Sequence, residues 1–157
     1  RIAVLNNHKF EQIGSPKDLY YSPKTTYMAK FFGECNLIAC KIIDKKEDSI
    51  VVESEFGQFL INQSIDKSTG DSLTFGIRPE AIKILNQNNS NSIEVIIKDV
   101  EFRGSTSNLN VKSRHSEKYL KIQNISSNIS QSFRQDDLIN VELNTGVGTI
   151  FKDETSS

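Results

Sequence analysis

The chain has 157 residues, enough for one ordinary domain or two small ones, and its 19 basic and 20 acidic side chains leave a net charge of -1. This balance provides no broad positive field for polyanions, which argues against nucleic-acid binding, and no apolar run approaches the roughly 20 residues of a membrane-spanning helix. Because no secretory signal begins the chain and residue 1 is Arg rather than Met, we expect a cytoplasmic fragment of a longer protein, without direct membrane insertion.

The beginning of the chain is predicted to form a β-hairpin. Apolar-rich runs at residues 1–5 and 10–13 flank the polar stretch 6–9, whose sequence is Asn-Asn-His-Lys. Such a pattern is typical of a hairpin, and Asn tolerates the left-handed conformation that a tight turn uses. We expect edge strands of a larger sheet, because a two-stranded hairpin alone is marginally stable in water.

Two helix-start signals follow. Ser15 can cap a helix in which Pro16 takes the first position, and Asp18 lies three residues after the cap. Ser22 and Pro23 repeat the signal. We therefore predict one helix after Ser15 and a second after Ser22.

The second helix is predicted to carry an apolar stripe. Tyr27 and Phe31 lie four residues apart, as do Met28 and Phe32, and Gly33 supplies a helix end. This spacing places the four side chains on one side of the helix, which indicates a core face rather than a ligand site.

From Leu37 onward the helical period disappears, and short apolar runs alternate with polar or Gly-containing turns, one of them at residues 86–91. Strands at this spacing are typical of a small barrel or sandwich without long helices. We predict strands at residues 37–43, 50–54, 58–62, 73–77, 82–85, 93–102, 109–113, 119–123, 138–143 and 149–151.

The predicted strand at residues 93–102 contains a change of face. Apolar residues at 93, 95 and 97 share one face, whereas Val100 and Phe102 have the opposite parity. Because side chains alternate along a strand, parity changes only where the strand gains or loses a residue. We predict a β-bulge or sharp bend near Lys98 and Asp99.

The polar residues with catalytic potential do not form a coherent site. Asp99, Glu101 and Arg103 share one strand face, and a solvated face is a better interpretation of them than an acid/base pair. His8 and His115 lie in polar turns without an orienting partner, which favours solvated histidines over a catalytic base. We predict no catalytic residue.

The two cysteines are predicted to be free cytosolic thiols. Cys35 and Cys40 are spaced C-x4-C without a second pair or a neighbouring His, whereas a zinc site normally has four ligands. We predict no metal site.

Eight residues near the N-terminus form a spaced pattern: Gln12, Gly14, Pro16, Tyr20, Pro23, Phe31, Gly33 and Asn36. The pattern resembles the end of the nucleotide-binding domain in the ATPase subunits of ABC importers of the polyamine, sugar and ferric-iron type. There a strand ending in Q-x-G-x-P is followed by a short helix with a Tyr, a further Pro, and a helix closing on F-x-G-x-x-N. The resemblance implies that the ATP-binding residues of the family lie before residue 1.

A second pattern runs from Gly70 to Glu80, with the sequence G-D-S-L-T-F-G-I-R-P-E. It resembles the G-D-x-(apolar)-x-x-G-I-R-P-E signature of the TOBE domain, the transport-associated OB-like module that follows the nucleotide-binding domain in these ATPases. Residues 99–106, which include Gly104, and residues 137–141 resemble later strands of that domain.

Together these resemblances imply a fold and a function. A short α+β remnant of the nucleotide-binding domain would occupy residues 1–33, and a mainly β, OB-like barrel or sandwich, the TOBE domain, would occupy residues 34–157. In this family such a region regulates the ATPase and supports its dimerisation. The implied partners are a second copy of the subunit and, through the parent protein, permease subunits at the inner face of the cell membrane. The Glu34-x-Asn36 ending and the R-P-E motif favour the polyamine type.

ATP and magnesium belong to the parent subunit in this family. The chain contains no G-x-x-x-x-G-K-[ST] loop to hold phosphates, and its Gly146-Val147-Gly148 stretch precedes a predicted strand rather than a helix. We expect no cofactor in this chain and no ATP hydrolysis by it.

Two alternatives remain. An independent OB-like module would bind a small anion or single-stranded nucleic acid. Nucleic acid requires exposed stacking aromatics, however, and Phe56, Phe59, Phe75 and Phe102 mostly fall at apolar alternation positions. A stand-alone enzyme would need a catalytic site, and the sequence presents none.

Arg78-Pro79-Glu80 is a compact polar motif that is predicted to have a structural role. Pro79 interrupts a strand ladder between Ile77 and Ile82, and the five donors of Arg78 can bind carbonyls or a carboxylate. A structural clamp between two strands is favoured over contact with a regulatory ligand or partner. The candidate structural or regulatory residues are Gly14, Pro16, Tyr20, Gly33, Asn36, Arg78, Pro79, Glu80 and Gly104.

Overall fold

A short α+β segment precedes a larger β region in the computed structural model, which describes residues 1–87, 89 and 91–151. Residues 88 and 90 of the predicted turn at 86–91 are outside the described residues. The last six residues of the predicted domain, 152–157, are outside them as well. The elements of the first segment are β1 (Ile2–Asn6), β2 (Lys9–Gly14), α1 (Pro16–Tyr21) and α2 (Thr26–Phe31).

The predicted hairpin is confirmed. β1 and β2 pair antiparallel with Asn6 opposite Lys9, so the turn between them has two residues. Both have positive φ, 48° at Asn7 and 63° at His8, as a type I′ turn requires. Asn is among the residues that tolerate this conformation best, which explains how the turn forms without glycine.

The first helix begins as predicted, with reciprocal capping bonds. The Ser15 hydroxyl accepts a hydrogen bond from the Asp18 N–H at 3.2 Å, and the Asp18 carboxylate accepts one from the Ser15 N–H at 2.9 Å. These bonds satisfy two backbone groups that a helix start otherwise leaves unpaired. Hydrogen bonds from the side chain and backbone of Ser15 also lower the pKa of Asp18.

The second helix begins later than predicted. Thr25 caps it rather than Ser22, because Thr25 Oγ1 accepts the Met28 N–H at 3.2 Å. Ser22 instead ends α1, where its N–H donates to the Asp18 carbonyl at 2.9 Å. Since Ser22 closes one helix, the next can start only after the chain has turned at Pro23.

The first segment has a small apolar core of its own. Val4, Leu19 and Met28 are buried together, and Phe32 packs against them. Tyr27 and Phe31 remain 39% and 58% exposed, and their ring centroids lie 5.8 Å apart. The predicted core face is therefore wrong for Tyr27 and Phe31, which pack on each other at the surface.

We refer to residues 36–151 as the β body. Each strand predicted in this region corresponds to one of its strands, within three residues at either end. Its elements are β3 (Asn36–Lys45), β4 (Ile50–Ser54), β5 (Gly57–Ile61), β6 (Ser72–Ile77), β7 (Ile82–Leu85), β8 (Ser92–Phe102), β9 (Thr106–Ser113), β10 (Tyr119–Ser126), α3 (Ser127–Ser130), β11 (Leu138–Leu143) and β12 (Thr149–Phe151), with 3₁₀ turns at Pro79–Ala81 and Thr145–Val147.

The β body consists of two five-stranded antiparallel sheets, ordered β12-β6-β3-β4-β5 and β10-β9-β8-β11-β7. Alternate side chains of both sheets form one apolar core, in which the rings of Phe59 and Phe75 lie 5.9 Å apart. Among the described residues, no buried hydrophobic side chain belongs both to this core and to the core of the first segment.

The predicted bulge in β8 is confirmed. The pairing of β8 with β9 shifts register between Ile97 and Asp99. Beyond the shift, Val100 packs against the core, whereas Phe102 is 67% exposed. The extra residue changes which face of the strand is buried.

Asparagine side chains bond to the backbone of two edge strands. Asn36 Nδ2 donates to the Lys121 carbonyl and Asn36 Oδ1 accepts the Lys121 N–H, both at 2.8 Å, at the edge strand β10. Asn91 Oδ1 accepts the N–H of Leu60, in the edge strand β5, at 2.7 Å. An unpaired strand edge invites pairing with other chains, so these amides protect the β body while joining its two sheets.

Candidate functional site at the junction of the helices and the β body

Arg78 is the centre of the candidate site. It follows β6 and precedes the 3₁₀ turn Pro79–Ala81, whose proline fixes a backbone dihedral and has no N–H to donate. The Ala81 N–H donates to the Arg78 carbonyl at 3.0 Å, and β7 then begins at Ile82. Arg78 is only 8% exposed, because the turn directs its side chain toward the first segment.

The guanidinium of Arg78 binds the ends of both helices. Nη1 donates to the Ala29 carbonyl at 2.7 Å, and Nη2 donates to the Tyr20 carbonyl at 2.9 Å. Nη1 also approaches the carbonyls of Gly33 and Glu34, at 3.2 and 3.0 Å. Carbonyls at a helix end lack intrahelical partners and carry partial negative charge, so a planar cation with five donors matches this place.

The predicted clamp between two strands is therefore wrong in its partners. Arg78 does bind carbonyls, but they belong to α1, α2 and the loop after α2. Backbone carbonyls carry no residue identity, and the sequence therefore contained no signal that could have identified these partners.

Tyr20 and Glu80 add a second connection at the same place. The Arg78 guanidinium carbon lies 4.0 Å from the centre of the Tyr20 ring, a cation–π contact. The Tyr20 hydroxyl donates to Glu80 Oε1 at 2.6 Å. Burial, together with the bond to Glu80, raises the pKa of Tyr20 to about 12. The hydroxyl therefore stays protonated at neutral pH and remains a donor.

The loop after α2 connects the site around Arg78 to β10. Gly33 has φ of 144°, a conformation that residues with a side chain rarely adopt. The Glu34 carboxylate binds Lys121 Nζ and accepts from Gln123 Nε2 at 2.6 Å. Asn36 bonds to the Lys121 backbone as described above. The loop is thus held by Arg78 on one side and by β10 on the other.

A polar groove of about 390 Å³ adjoins the junction on the outer face of β8, β9 and β10. Arg103 Nη2 binds Glu101 Oε1 at 2.7 Å, and Lys121 binds Glu34, so both cationic side chains of the groove are paired with carboxylates. The groove includes Glu34, Asp99, Glu101, Arg103, Asn108, Asn110, Lys121 and Gln123. The predicted solvated face at Asp99, Glu101 and Arg103 is confirmed, since all three are exposed.

Three candidate residues lie away from the junction. Pro16 occupies the first position of α1. At Gly14 an added Cβ atom would lie 3.2 Å from the Cβ of Asp18, which is a tight contact. Gly104 has φ of 87° in the turn between β8 and β9, and a Cβ atom added there would meet nothing within 4 Å, so its conformation rather than space favours glycine.

The helix α3 was not predicted. Ser127 Oγ donates to the Gly104 carbonyl, and the hydroxyls of Ser107 and Ser130 are hydrogen-bonded at 2.7 Å. These buried contacts are polar, so the apolar periodicity that would mark a helix is missing. The serine-rich stretch carries only a general loop signal.

Within the described part of the chain, the cysteines and histidines form no site with the acidic residues. Cys35 and Cys40 are free thiols, as predicted, and burial raises the pKa of the Cys40 thiol to about 12. Over residues 1–87, 89 and 91–151, no three His, Cys, Asp or Glu side chains are grouped closely enough to hold a metal ion. The same residues include no helix that is long and apolar enough to cross a membrane.

Comparison with protein families and curated proteins relates the chain to importer ATPases. The family described as "TOBE domain" matches residues 75–151. The spermidine/putrescine import ATP-binding protein PotA of Fusobacterium nucleatum is 32% identical over 127 residues, covering 75% of this chain and 34% of that protein. PotA of Thermotoga maritima is 35% identical over 85 residues, covering 54% and 23%.

A third relative is named for putrescine transport. The putrescine transport ATP-binding protein PotG of Escherichia coli is 30% identical over 102 residues, covering 64% of this chain and 27% of that protein. The chain thus spans from 23% to 34% of the length of these three relatives.

A solved structure supports the fold. The cytoplasmic molybdate-binding protein ModG superposes with a TM-score of 0.60 at 6% identity, covering 74% of this chain and 94% of that chain. Identity this low shows the fold alone. Together with the match to the TOBE domain, it confirms the predicted mainly β, OB-like fold.

Proposed function

We propose that this chain forms the regulatory and dimerisation region of a polyamine-importer ATP-binding subunit. The chain carries a TOBE domain and matches the C-terminal part of such subunits. The subunit would couple ATP hydrolysis to polyamine uptake. It would act with a second copy of itself and with permease subunits at the inner face of the cell membrane.

The Arg78 junction is the observation that carries this proposal. Arg78 belongs to the segment that resembles the TOBE signature, and its hydrogen bonds end on α1 and α2, which resemble the end of a nucleotide-binding domain. A regulatory domain needs a defined mechanical connection to the domain that it regulates. The division into residues 1–33 and 34–157 is part of the proposal, and the junction would be their interface.

The surface of the first segment supports the same division. The hairpin exposes four apolar side chains: Ile2, Leu5, Phe10 and Ile13, which are 39%, 60%, 67% and 47% exposed. Exposed apolar side chains grouped on one small element are typical of a packing surface. We assign this surface to contact with the remainder of the ATP-binding domain.

ATP and magnesium would be bound elsewhere in the subunit. The residues present do not fit these ligands, because the chain has no G-x-x-x-x-G-K-[ST] loop to hold phosphates. No step of ATP hydrolysis is assigned to a residue of this chain.

The alternative, an independent module for a small anion or single-stranded nucleic acid, has less support. The two cationic side chains of the polar groove are already paired with Glu101 and Glu34. Phe56, Phe59 and Phe75 are buried in the core, so they cannot stack on bases.

Deleting the β body from the ATPase subunit tests the proposal. We expect the truncated subunit to bind ATP, because the nucleotide site would be intact, but to dimerise more weakly and to hydrolyse ATP at an altered rate. Equilibrium ATP binding, sedimentation and steady-state hydrolysis are the measurements. If dimerisation and hydrolysis are both unchanged, the regulatory and dimerisation role is wrong.

A further inference from the structure

We propose that the Arg78 junction is a latch, through which the β body determines whether α1 and α2 are held in place. The inference deepens the proposed function by naming the route of regulation, but it concerns a property of this chain alone. The first step is the separation of the two apolar cores, which share no buried hydrophobic residue within the described part of the chain. The polar contacts of Arg78 therefore join two separate apolar cores.

One side chain supplies most of those polar contacts. Arg78 donates hydrogen bonds to carbonyls at Tyr20 in α1, at Ala29 in α2 and at Gly33 and Glu34 in the following loop. It therefore fixes three consecutive pieces of chain relative to β6. Removing the guanidinium would take one or more hydrogen bonds from each of these pieces at once, while the Tyr20 hydroxyl would keep its bond to Glu80 and the Glu34 carboxylate its bonds to Lys121 and Gln123.

The latch is expected to open cooperatively. Arg78 is 8% exposed and always charged, so partial opening would leave a cation and several carbonyls with too few partners in a poorly hydrated place. Tyr20 reinforces the closed arrangement through its ring contact with Arg78 and its hydrogen bond to Glu80. The junction is therefore most stable either with all of these contacts formed or with all of them broken.

The loop after α2 gives the latch a connection to the polar groove. The Glu34 carbonyl accepts a hydrogen bond from Arg78, while the Glu34 carboxylate binds Lys121 and Gln123 of β10. Asn36, two residues later, bonds to the Lys121 backbone. A displacement of β10 therefore acts directly on the loop that Arg78 holds.

Hydrogen exchange of the complete 157-residue chain tests the latch. We expect Arg78→Ala to accelerate amide exchange in α1 and α2 by about 10- to 100-fold, the factor that corresponds to losing charge-assisted hydrogen bonds in a buried place, with little change in β8 and β11. Arg103→Ala is the matched control, because the Arg103 guanidinium forms an exposed ion pair with Glu101 of β8 rather than with a helix. It should leave exchange in α1 and α2 unchanged.

Two outcomes would overturn the latch. Equal acceleration in the β body would mean that Arg78 acts as an ordinary core residue, and unchanged exchange in α1 and α2 would mean that it holds nothing. If Arg78→Ala does not fold, Tyr20→Phe removes only the hydroxyl bond to Glu80 and should accelerate exchange in α1 by a smaller factor, with the β body unchanged. No acceleration in that variant would also count against the latch. Because these measurements need no nucleotide and no longer subunit, the latch and the proposed function can fail separately.

Discussion

Asn36 is a single polar side chain that joins the two sheets of the β body. Its amide exchanges two hydrogen bonds with the backbone of Lys121, and the residue is 8% exposed. We expect Asn36→Ala to lower the free energy of unfolding by about 1–3 kcal/mol, because it removes two partly buried hydrogen bonds to the Lys121 backbone. Asn36→Asp should cost at least as much, since a carboxylate cannot donate to the Lys121 carbonyl.

Chemical denaturation of the purified chain measures this effect. Asn86→Ala is the control, because Asn86 is exposed and should change the stability little. If Asn36→Ala is as stable as the control, the Asn36 amide does not stabilise the contact between the two sheets.

Tyr20 provides a prediction on pH. Its folded-state pKa of about 12 lies above the value of about 10 for an unperturbed tyrosine. A raised pKa means that the stabilisation is complete below about pH 10 and is lost as the pH rises through about 12. Comparing the stability of the wild type with that of Tyr20→Phe from about pH 8 to pH 12 checks this. The difference should shrink above about pH 10, and a constant difference would contradict the contact with Glu80.

Residue roles could be predicted from the sequence only where the partner is local. The bonds between Ser15 and Asp18 span three positions, so a known cap pattern identifies both partners. The importance of Arg78 was visible in its motif, but its partners are backbone carbonyls as many as 58 positions away. The pairing of Asn36 with Lys121 joins residues 85 positions apart and was not visible at all.

At the scale of elements, the start of α2 separates two interpretations of the same sequence. Thr25 Oγ1 accepts the Met28 N–H and donates to Glu11 Oε1 at 2.6 Å. We expect Thr25→Ala to destabilise the chain by about 1 kcal/mol, because a helix cap and a link to the hairpin are both lost. Ser22→Ala, the matched control, should be close to neutral.

Thermal or chemical unfolding of the two variants decides between the interpretations. The opposite order, with Ser22→Ala the more destabilising change, would restore the predicted helix start at Ser22 and Pro23.

The strands could be predicted more completely than the helices, for a physical reason. Each strand of the β body buries alternate residues against one core, so its apolar pattern records its position directly. The change of parity in β8 even located a bulge. The short helices are different: α3 is held by serine hydroxyls and has no apolar period, whereas α2 has the period but buries only part of its stripe.

At the scale of the whole molecule, the two parts of the chain should differ in local stability. Residues 1–33 have a core of three buried residues and an exposed hairpin, whereas the β body has a continuous core. We expect residues 1 to 32 to exchange amide hydrogen faster than the β body in a monomeric sample. Slow exchange throughout residues 1–13 in a proven monomer would mean that this segment belongs to a complete domain, and its assignment as the end of a nucleotide-binding domain would be wrong.

In the proposed function, the β body regulates an ATP-binding domain through the Arg78 junction without taking part in the chemistry. The most direct measurement is steady-state ATP hydrolysis by the proposed ATPase subunit, with Arg78→Ala and Arg103→Ala compared with the wild type. Basal hydrolysis should survive in both variants, and only Arg78→Ala should alter dimerisation or regulation. Abolished hydrolysis in Arg78→Ala, with unaltered melting and unaltered dimerisation, would contradict the account.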